Sequence, residues 1–258
     1  MIRGAITSYI DVAQVVLYAF FVFFAGLIWY LRREDRREGY PLESEAAGWK
    51  RDRGFLFIPP PKKFQLPHGG TVSAPRFDVD PRALNATKVA PWPGAPLEPV
   101  GDPMQAAIGP GAYALRADTP EQTFDGRDLI VPIRVATNYA VASEDANPVG
   151  MPVFGADRKQ GGVVTDLWVD RGEGVLRYYE VETGTPAASR RVLLPVTFSQ
   201  VNGSRRRIDV EAILGHQFAG APTTREPDRV TRLEEERTVA YFGAGTLYAT
   251  LQRAEPLL

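Results

Sequence analysis

Residues 12–31 constrain this chain more than any other feature. They read VAQVVLYAFFVFFAGLIWYL and carry no formal charge. A helix rises about 1.5 Å per residue, so this run reaches about 30 Å, the hydrocarbon thickness of a bilayer. No other window of the sequence approaches it. The chain therefore reads as a short N-terminus (1–11), one membrane span (12–31) and a large polar remainder. Its function has to be one that a tethered domain can perform.

A cleaved signal starts basic, holds a shorter apolar core and ends at a small-residue cleavage site. Here Asp11 precedes the run, Trp29 and Tyr30 close it, and a charged block follows. These features favour a retained anchor. Arg32, Arg33, Arg36 and Arg37 crowd the C-terminal flank, against Arg3 alone on the other side. Basic flanks stay cytoplasmic, so the N-terminus is expected in the periplasm and everything after Leu31 in the cytoplasm. Tyr9, Trp29 and Tyr30 suit the two interfaces as aromatic anchors. Gln14 followed by Tyr18 has two readings: a residue near the interface, the default, or a contact to a neighbouring helix. Ala25 and Gly26 offer a small surface for close helix approach.

The remainder is about 220 residues, enough for one large domain or two small ones. Net charge is −1, which does not point to nucleic acid. With no cysteine, disulfides, thiolate metal sites, iron–sulfur clusters and a cysteine nucleophile are excluded. The only histidines are His68, in an LPHGG turn, and His216 after Gly215. Neither has ligand spacing, and both are expected to pack or face solvent.

Residues 32–48 alternate in charge and can pair along a helix leaving the membrane, until Gly39 and Pro41 end it. Their basic members also suit anionic head groups. From 41 to 110 the chain is proline-rich, with Pro59, Pro60 and Pro61 in a row and PWPGAPLEP at 91–99. Helix is excluded over most of it. Phe55, Phe57, Ile58, Phe64, Leu66, Val72 and Trp92 are too many large apolar groups for a disordered linker. An extended, ordered segment lying across a surface is expected, much of that surface supplied by other chains. Asp102-Pro103-x-Gln105 reads as the start of a short helix that Gly109-Pro110 ends. Beyond about 125, strands are expected at 129–135, 162–169, 175–182, 191–196 and 207–213, in the short rhythm of a small barrel or strongly bent sheet. The turn 170–174 joins two of them as a hairpin. Thr231-x-x-Glu234 is a capping box, predicting a helix over about 233–241 that Gly243 and Gly245 interrupt.

No Walker loop, GxGxxG, GxSxG or HExxH is present, so no catalytic motif stands out. Acids and bases concentrate near the hairpin: Asp166, Asp170, Arg171, Glu173, Arg177, Glu180 and Glu182. The bland reading is a solvated sheet face. The alternative is a chain of titratable groups carrying protons toward a buried acceptor, with Glu173 and Arg177 as carboxylate and tuning cation.

REGYPLE (37–43), LPHGG (66–70), GDPM (101–104), DLWVD (166–170) and LEEE followed by AYFGAGTLYA (233–249) resemble the H subunit of the purple-bacterial photosynthetic reaction centre. The likeness runs from the membrane helix almost to the C-terminus. It implies a membrane-anchored, mainly β protein. The parts are a single N-terminal transmembrane helix, an extended surface segment over 32–110, and a cytoplasmic globular domain over 111–258. That domain is built on a PRC-type β-barrel at about 148–215 with a short C-terminal helix. The implied location is the bacterial inner, intracytoplasmic (chromatophore) membrane.

The resemblance also implies a role. Such a subunit binds no pigment and is not an enzyme. It caps the L and M type subunits, which hold the bacteriochlorophyll, bacteriopheophytin, quinones and non-haem iron. It stabilises them and helps conduct protons to the secondary quinone. An antenna ring, a cytochrome subunit and membrane lipids are further implied partners; nucleic acid is not. By position, Glu173 matches a proton-transfer residue, Arg177 its electrostatic neighbour and Asp170 an acidic surface position. Asp125 matches an acid where protons first arrive. Some relatives carry two histidines just after it; this chain has Gly126, Arg127 and Asp128 there, so Asp128 is a further candidate. Tyr30, Arg32, Arg33, Arg37 and Tyr40 fall in a region of lipid and subunit contact. The competing reading, a tethered PRC-barrel adaptor outside photosynthesis, would want a basic binding face, and a tethered hydrolase has no nucleophile–base motif to support it.

Overall fold

The computed structural model describes residues 6–7, 11–40, 42–44, 49–51, 58–67, 69–75, 80–185 and 188–254. Arg3, Tyr9, Pro41, Phe55, Phe57 and His68 lie outside the described residues. Two compact units divide between Val79 and Asp80.

In the first unit, helix α1 (Val12–Glu34) contains no buried residue and is long and apolar enough to cross a membrane. Asp11 caps it, its carboxylate accepting from the Gln14 amide at 2.7 Å. The Gln14 side chain donates to the Tyr18 hydroxyl at 2.9 Å, so the polar group near the start of the helix finds a partner one turn on. A 3₁₀ turn (Asp35–Arg37) extends the helix, with Arg32 paired to Asp35 at 3.3 Å. Gly39, at φ +72°, then turns the chain. Strands β1 (Leu42–Ser44) and β2 (Trp49–Arg51) pair antiparallel, as do β3 (Lys62–Gln65) and β4 (Thr71–Ala74). The β3–β4 turn needs left-handed backbone at Gly69 and Gly70, φ +93° and +86°, which explains the glycine pair of LPHGG.

The second unit opens with a hairpin of β5 (Ala86–Lys88) and β6 (Leu97–Pro99). Its main sheet holds β7 (Ile130–Pro132), β8 (Pro152–Phe154), β9 (Gln160–Asp170), β10 (Val175–Thr185), β11 (Ala188–Pro195), β12 (Gln200–Asn202) and β13 (Arg207–Asp209). The order is β11-β10-β9-β8-β13-β12, with β7 added on β9. Among the described residues only the β8–β13 pairing is parallel. Helix α2 (Arg232–Tyr248) follows. Along β10 and β11 side chains alternate between two apolar layers. Tyr179, Val181, Val192 and Leu194 join the main core with Phe218, Tyr241 and Phe242. Tyr178 and Leu193 face the other way, into a smaller layer with Ile130, Trp168 and Val230. His216 is exposed on a 3₁₀ turn (Gly215–Gly220).

Four expectations need correction. Asp102 does not start a helix: its carboxylate accepts from Met104 at 3.0 Å and its carbonyl from Gln105 at 3.0 Å, a single turn that left-handed Ala107 (φ +58°) terminates. The strand expected at 129–135 stops at Pro132, whose carbonyl instead accepts from Val135 and Ala136. The strand expected at 207–213 keeps only Arg207–Asp209. The C-terminal helix runs through Gly243 and Gly245 to Tyr248. A Cβ at 243 would collide with the Pro110 carbonyl oxygen, and one at 245 with Ile213 Cγ2 and the Ala212 carbonyl oxygen. Each glycine gives up about 1 kcal/mol of helix propensity, and close packing against these segments offsets it. Gly245→Val is therefore expected to lower stability by about 1–3 kcal/mol through overpacking, read as a lower thermal midpoint of the detergent-solubilised protein.

Candidate functional site

The hairpin of β9 and β10 places the sequence-expected acids. Asp170 ends β9, buried, and its carboxylate accepts from the amides of Gly172 at 2.8 Å and Glu173 at 3.1 Å. It shapes the turn 171–174, closed by Gly174 at φ +68°. Glu173 is exposed on that turn and has no ion-pair partner among the described residues.

Arg177 sits at a β-bulge. Leu176 pairs with Val169 and Tyr178 with Trp168, leaving Arg177 without an opposite number on β9. Neighbours in a regular strand face opposite sides. The extra residue re-aims the chain, so Arg177 and Tyr178 line one cleft of about 270 Å³ with Arg116, Glu121, Arg232, Glu235, Glu236 and Val239.

Inside the cleft the Tyr178 hydroxyl donates to Glu235 Oε2 at 2.7 Å. Burial pushes the Glu235 carboxyl above the ordinary value; the Tyr178 hydrogen bond and Arg177 pull it down, while the charges of Glu121 and Asp170 add to the rise. Burial, then the Glu235 charge, also pushes the Tyr178 phenol up. Arg116 pairs with Glu236 at 3.1 Å. The site thus holds a carboxyl raised above its ordinary value by burial, bonded to a buried phenol beside a cation. Sequence reasoning missed Glu235, Glu121 and Tyr178. The signal was in LEEE: Glu234 is occupied in the capping box with Thr231, which leaves Glu235 one turn into α2 to face the sheet.

The other expected acids lie on the strip leading into β7. Leu129 donates to the Glu121 carbonyl at 2.7 Å, and Arg171 to the Leu129 carbonyl at 2.9 Å. This ties the strip to the hairpin turn. Asp128 pairs with Arg229 at 2.7 Å. Asp125 is exposed and pairs with Arg127 at 3.1 Å. Of the remaining charges, Glu182 accepts from the Ser189 hydroxyl, and Asp166 and Glu180 gather around Arg134. The hairpin therefore holds Asp170, Glu173 and Arg177 together; Asp125 and Asp128 stand on a separate loop.

At the membrane end, Lys62 lies 5.8 Å from the Tyr30 ring, Arg33 5.5 Å from Trp29 and Arg36 5.3 Å from Tyr40. Arg37 turns inward: its side chain is 10% exposed and donates to Glu34, to the Pro60 carbonyl at 2.8 Å and to the Ala74 carbonyl at 2.9 Å. Lys62 also pairs with Glu34.

Comparison with protein families gives two matches. The model for the photosynthetic reaction centre H-chain N-terminal region matches residues 4–135. The model for the PRC-barrel domain matches residues 140–217.

Because burial raises the Glu235 carboxyl, the folded protein binds its proton more tightly than the unfolded chain. Its contribution is fully present below the ordinary carboxylate value of 4.5 and is lost as pH rises through the raised value. Glu235→Gln is expected to flatten the fall in thermal midpoint over that window. Parallel curves for variant and parent would contradict the burial of a titrating Glu235.

Proposed function

The chain belongs to the H-chain family of the photosynthetic reaction centre, and on that premise we propose that it covers the L and M type subunits on their cytoplasmic side and passes protons toward the secondary quinone. The family is a non-catalytic, non-pigmented subunit; the pigments, quinones and non-haem iron belong to the partners. Adding electrons to a quinone in a low-dielectric site needs charge compensation, because a buried anion is costly. Protons must reach it through groups that exchange repeatedly.

The single observation carrying the proton role is the cleft where Arg177, Tyr178 and Glu235 meet. In this reading Asp125 and Asp128 collect protons at the surface. Glu173 presents a carboxylate from a rigid turn that Asp170 builds. Arg177 tunes the local field, and Glu235 with Tyr178 stores a proton beside it. Stabilisation of the partners rests on the extended segment, where Phe64, Leu66 and Trp92 are about half exposed and suit burial against other chains. Tyr30, Arg32, Arg33 and Tyr40 form an aromatic and basic collar fitting lipid head groups. Arg37 supports that collar from inside. The antenna ring and a cytochrome subunit are further proposed neighbours, in the chromatophore membrane with the N-terminus periplasmic.

Two measurements test this. Mild detergent extraction through a tag on this chain is expected to bring down bacteriochlorophyll absorption; a colourless eluate would overturn the assignment to the complex. Glu173→Gln is expected to slow the proton-coupled second electron transfer, by about 10-fold or more for a lost proton-transfer group, and to leave the first charge separation unchanged. Second-electron kinetics equal to the parent's across pH would remove Glu173 from the path.

A further inference from the structure

We infer that Arg134 is a positioning residue for the proton path, latching residues 225–230 onto the outer face of the β9–β10 hairpin and so setting where Glu235 and Asp128 stand. This rests on the reading of the cleft given above.

The guanidinium of Arg134 joins three separate elements. Nη1 donates to Asp166 Oδ2 of β9 and to Glu180 Oε2 of β10, both at 2.8 Å. Nε donates to Asp228 Oδ1 at 2.8 Å, and Nη2 to the Pro227 carbonyl oxygen. Only a planar fork with donors on several edges can do this; a lysine ammonium cannot span the same acceptors. Glu180 is the deep anchor. Its side chain is 3% exposed and also accepts from Trp168 Nε1 and Thr165 Oγ1, each at 3.1 Å. Removing the main cation from a buried carboxylate is strongly unfavourable.

The latch has an apolar partner two residues on. Val230 is 2% exposed and packs with Trp168, Tyr178, Leu193 and Ile130, on the sheet face that also carries Glu180. Polar ties flank it: Arg229 to Asp128 at 2.7 Å, the Arg225 amide to Glu234 Oε1 at 2.9 Å, and the Arg225 side chain to Asp118 at 2.8 Å. Thr231 then caps α2, and Glu235 follows one turn later against Tyr178. The entry angle of α2 over the sheet is therefore held on one side by Arg134. The groups facing Glu235 are Tyr178 and Arg177 from β10, Asp170 from β9, Glu121 and Arg116 from the preceding strip, and Arg232 and Glu236 from its own helix.

With the latch released, residues 225–230 lift, Glu235 gains water, and its carboxyl returns toward the ordinary value. Fewer molecules then hold its proton at a given pH, so proton delivery fails at lower pH. The test uses the assembled complex carrying Arg134→Gln, Asp228→Asn or Glu235→Gln, reading the rate of the proton-coupled second electron transfer per reaction centre against pH. Arg134→Gln is expected to move the fall in rate downward by about half a pH unit or more, and Asp228→Asn, which leaves Glu180 paired, by less in the same direction. If Arg134→Gln fails to assemble, Asp228→Asn decides. Unshifted profiles in assembled Arg134→Gln and Asp228→Asn complexes, with Glu235→Gln still altered, would overturn the latch alone. An unaltered Glu235→Gln profile would overturn the reading of the cleft, and the latch with it.

Discussion

A two-stranded hairpin with apolar side chains on both faces cannot stand in water; each face needs a cover. The β9–β10 hairpin is built this way. One face joins the main core through Leu167, Tyr179 and Val181. The other carries Trp168 and Tyr178 among the charges of Asp166 and Glu180. Covering that second face takes Ile130 from β7 and Val230 from the stretch before α2, so two distant stretches of chain are drawn onto one pair of strands. Those stretches bring the charged groups with them: Glu121 and Asp128 near β7, Arg225, Asp228 and Arg229 before α2.

Two bulges adapt the hairpin to this load. The one at Arg177 lets adjacent residues share a cleft that alternation would have separated. The other leaves Thr165 unpaired on β9, where its hydroxyl reaches Glu180. Both irregularities of the β9–β10 pairing thus lie beside titratable groups. The carboxylates on and around the hairpin differ in what satisfies them: buried Asp170 by backbone amides, buried Glu180 by arginine and tryptophan, and half-buried Glu235 by a phenol. At Glu235 burial raises the carboxyl while the hydrogen bond from the Tyr178 phenol and the charge of Arg177 pull it down.

In the unit ending at Val79 the governing constraint is the bilayer. A helix with every apolar side chain exposed needs lipid or partner helices around it, and its charged end needs pairing. Arg37 meets that need by holding Glu34 and two carbonyls at once.

Much of the architecture was legible from residues alone. The apolar run announced the membrane helix, the prolines excluded helix from the segment after it, the β-rich runs on either side of the Gly-containing turn 170–174 announced the hairpin, and Thr231 with Glu234 announced the cap of α2. The motifs REGYPLE, LPHGG and DLWVD pointed to the family that both domain matches support. These features are local: they depend on chain length, side-chain period and turn chemistry, which a linear sequence carries. What tertiary structure decided was non-local. Gly243 and Gly245 read as breaks yet lie inside α2, because neighbouring backbone occupies the space a Cβ would need. Glu235 had no assigned role until folding set it against Tyr178, and Arg134 had no visible partner until β9, β10 and residues 227–228 converged on it. Burial and charge pairing are properties of segments far apart in the chain, and no periodicity or motif records which of them will meet.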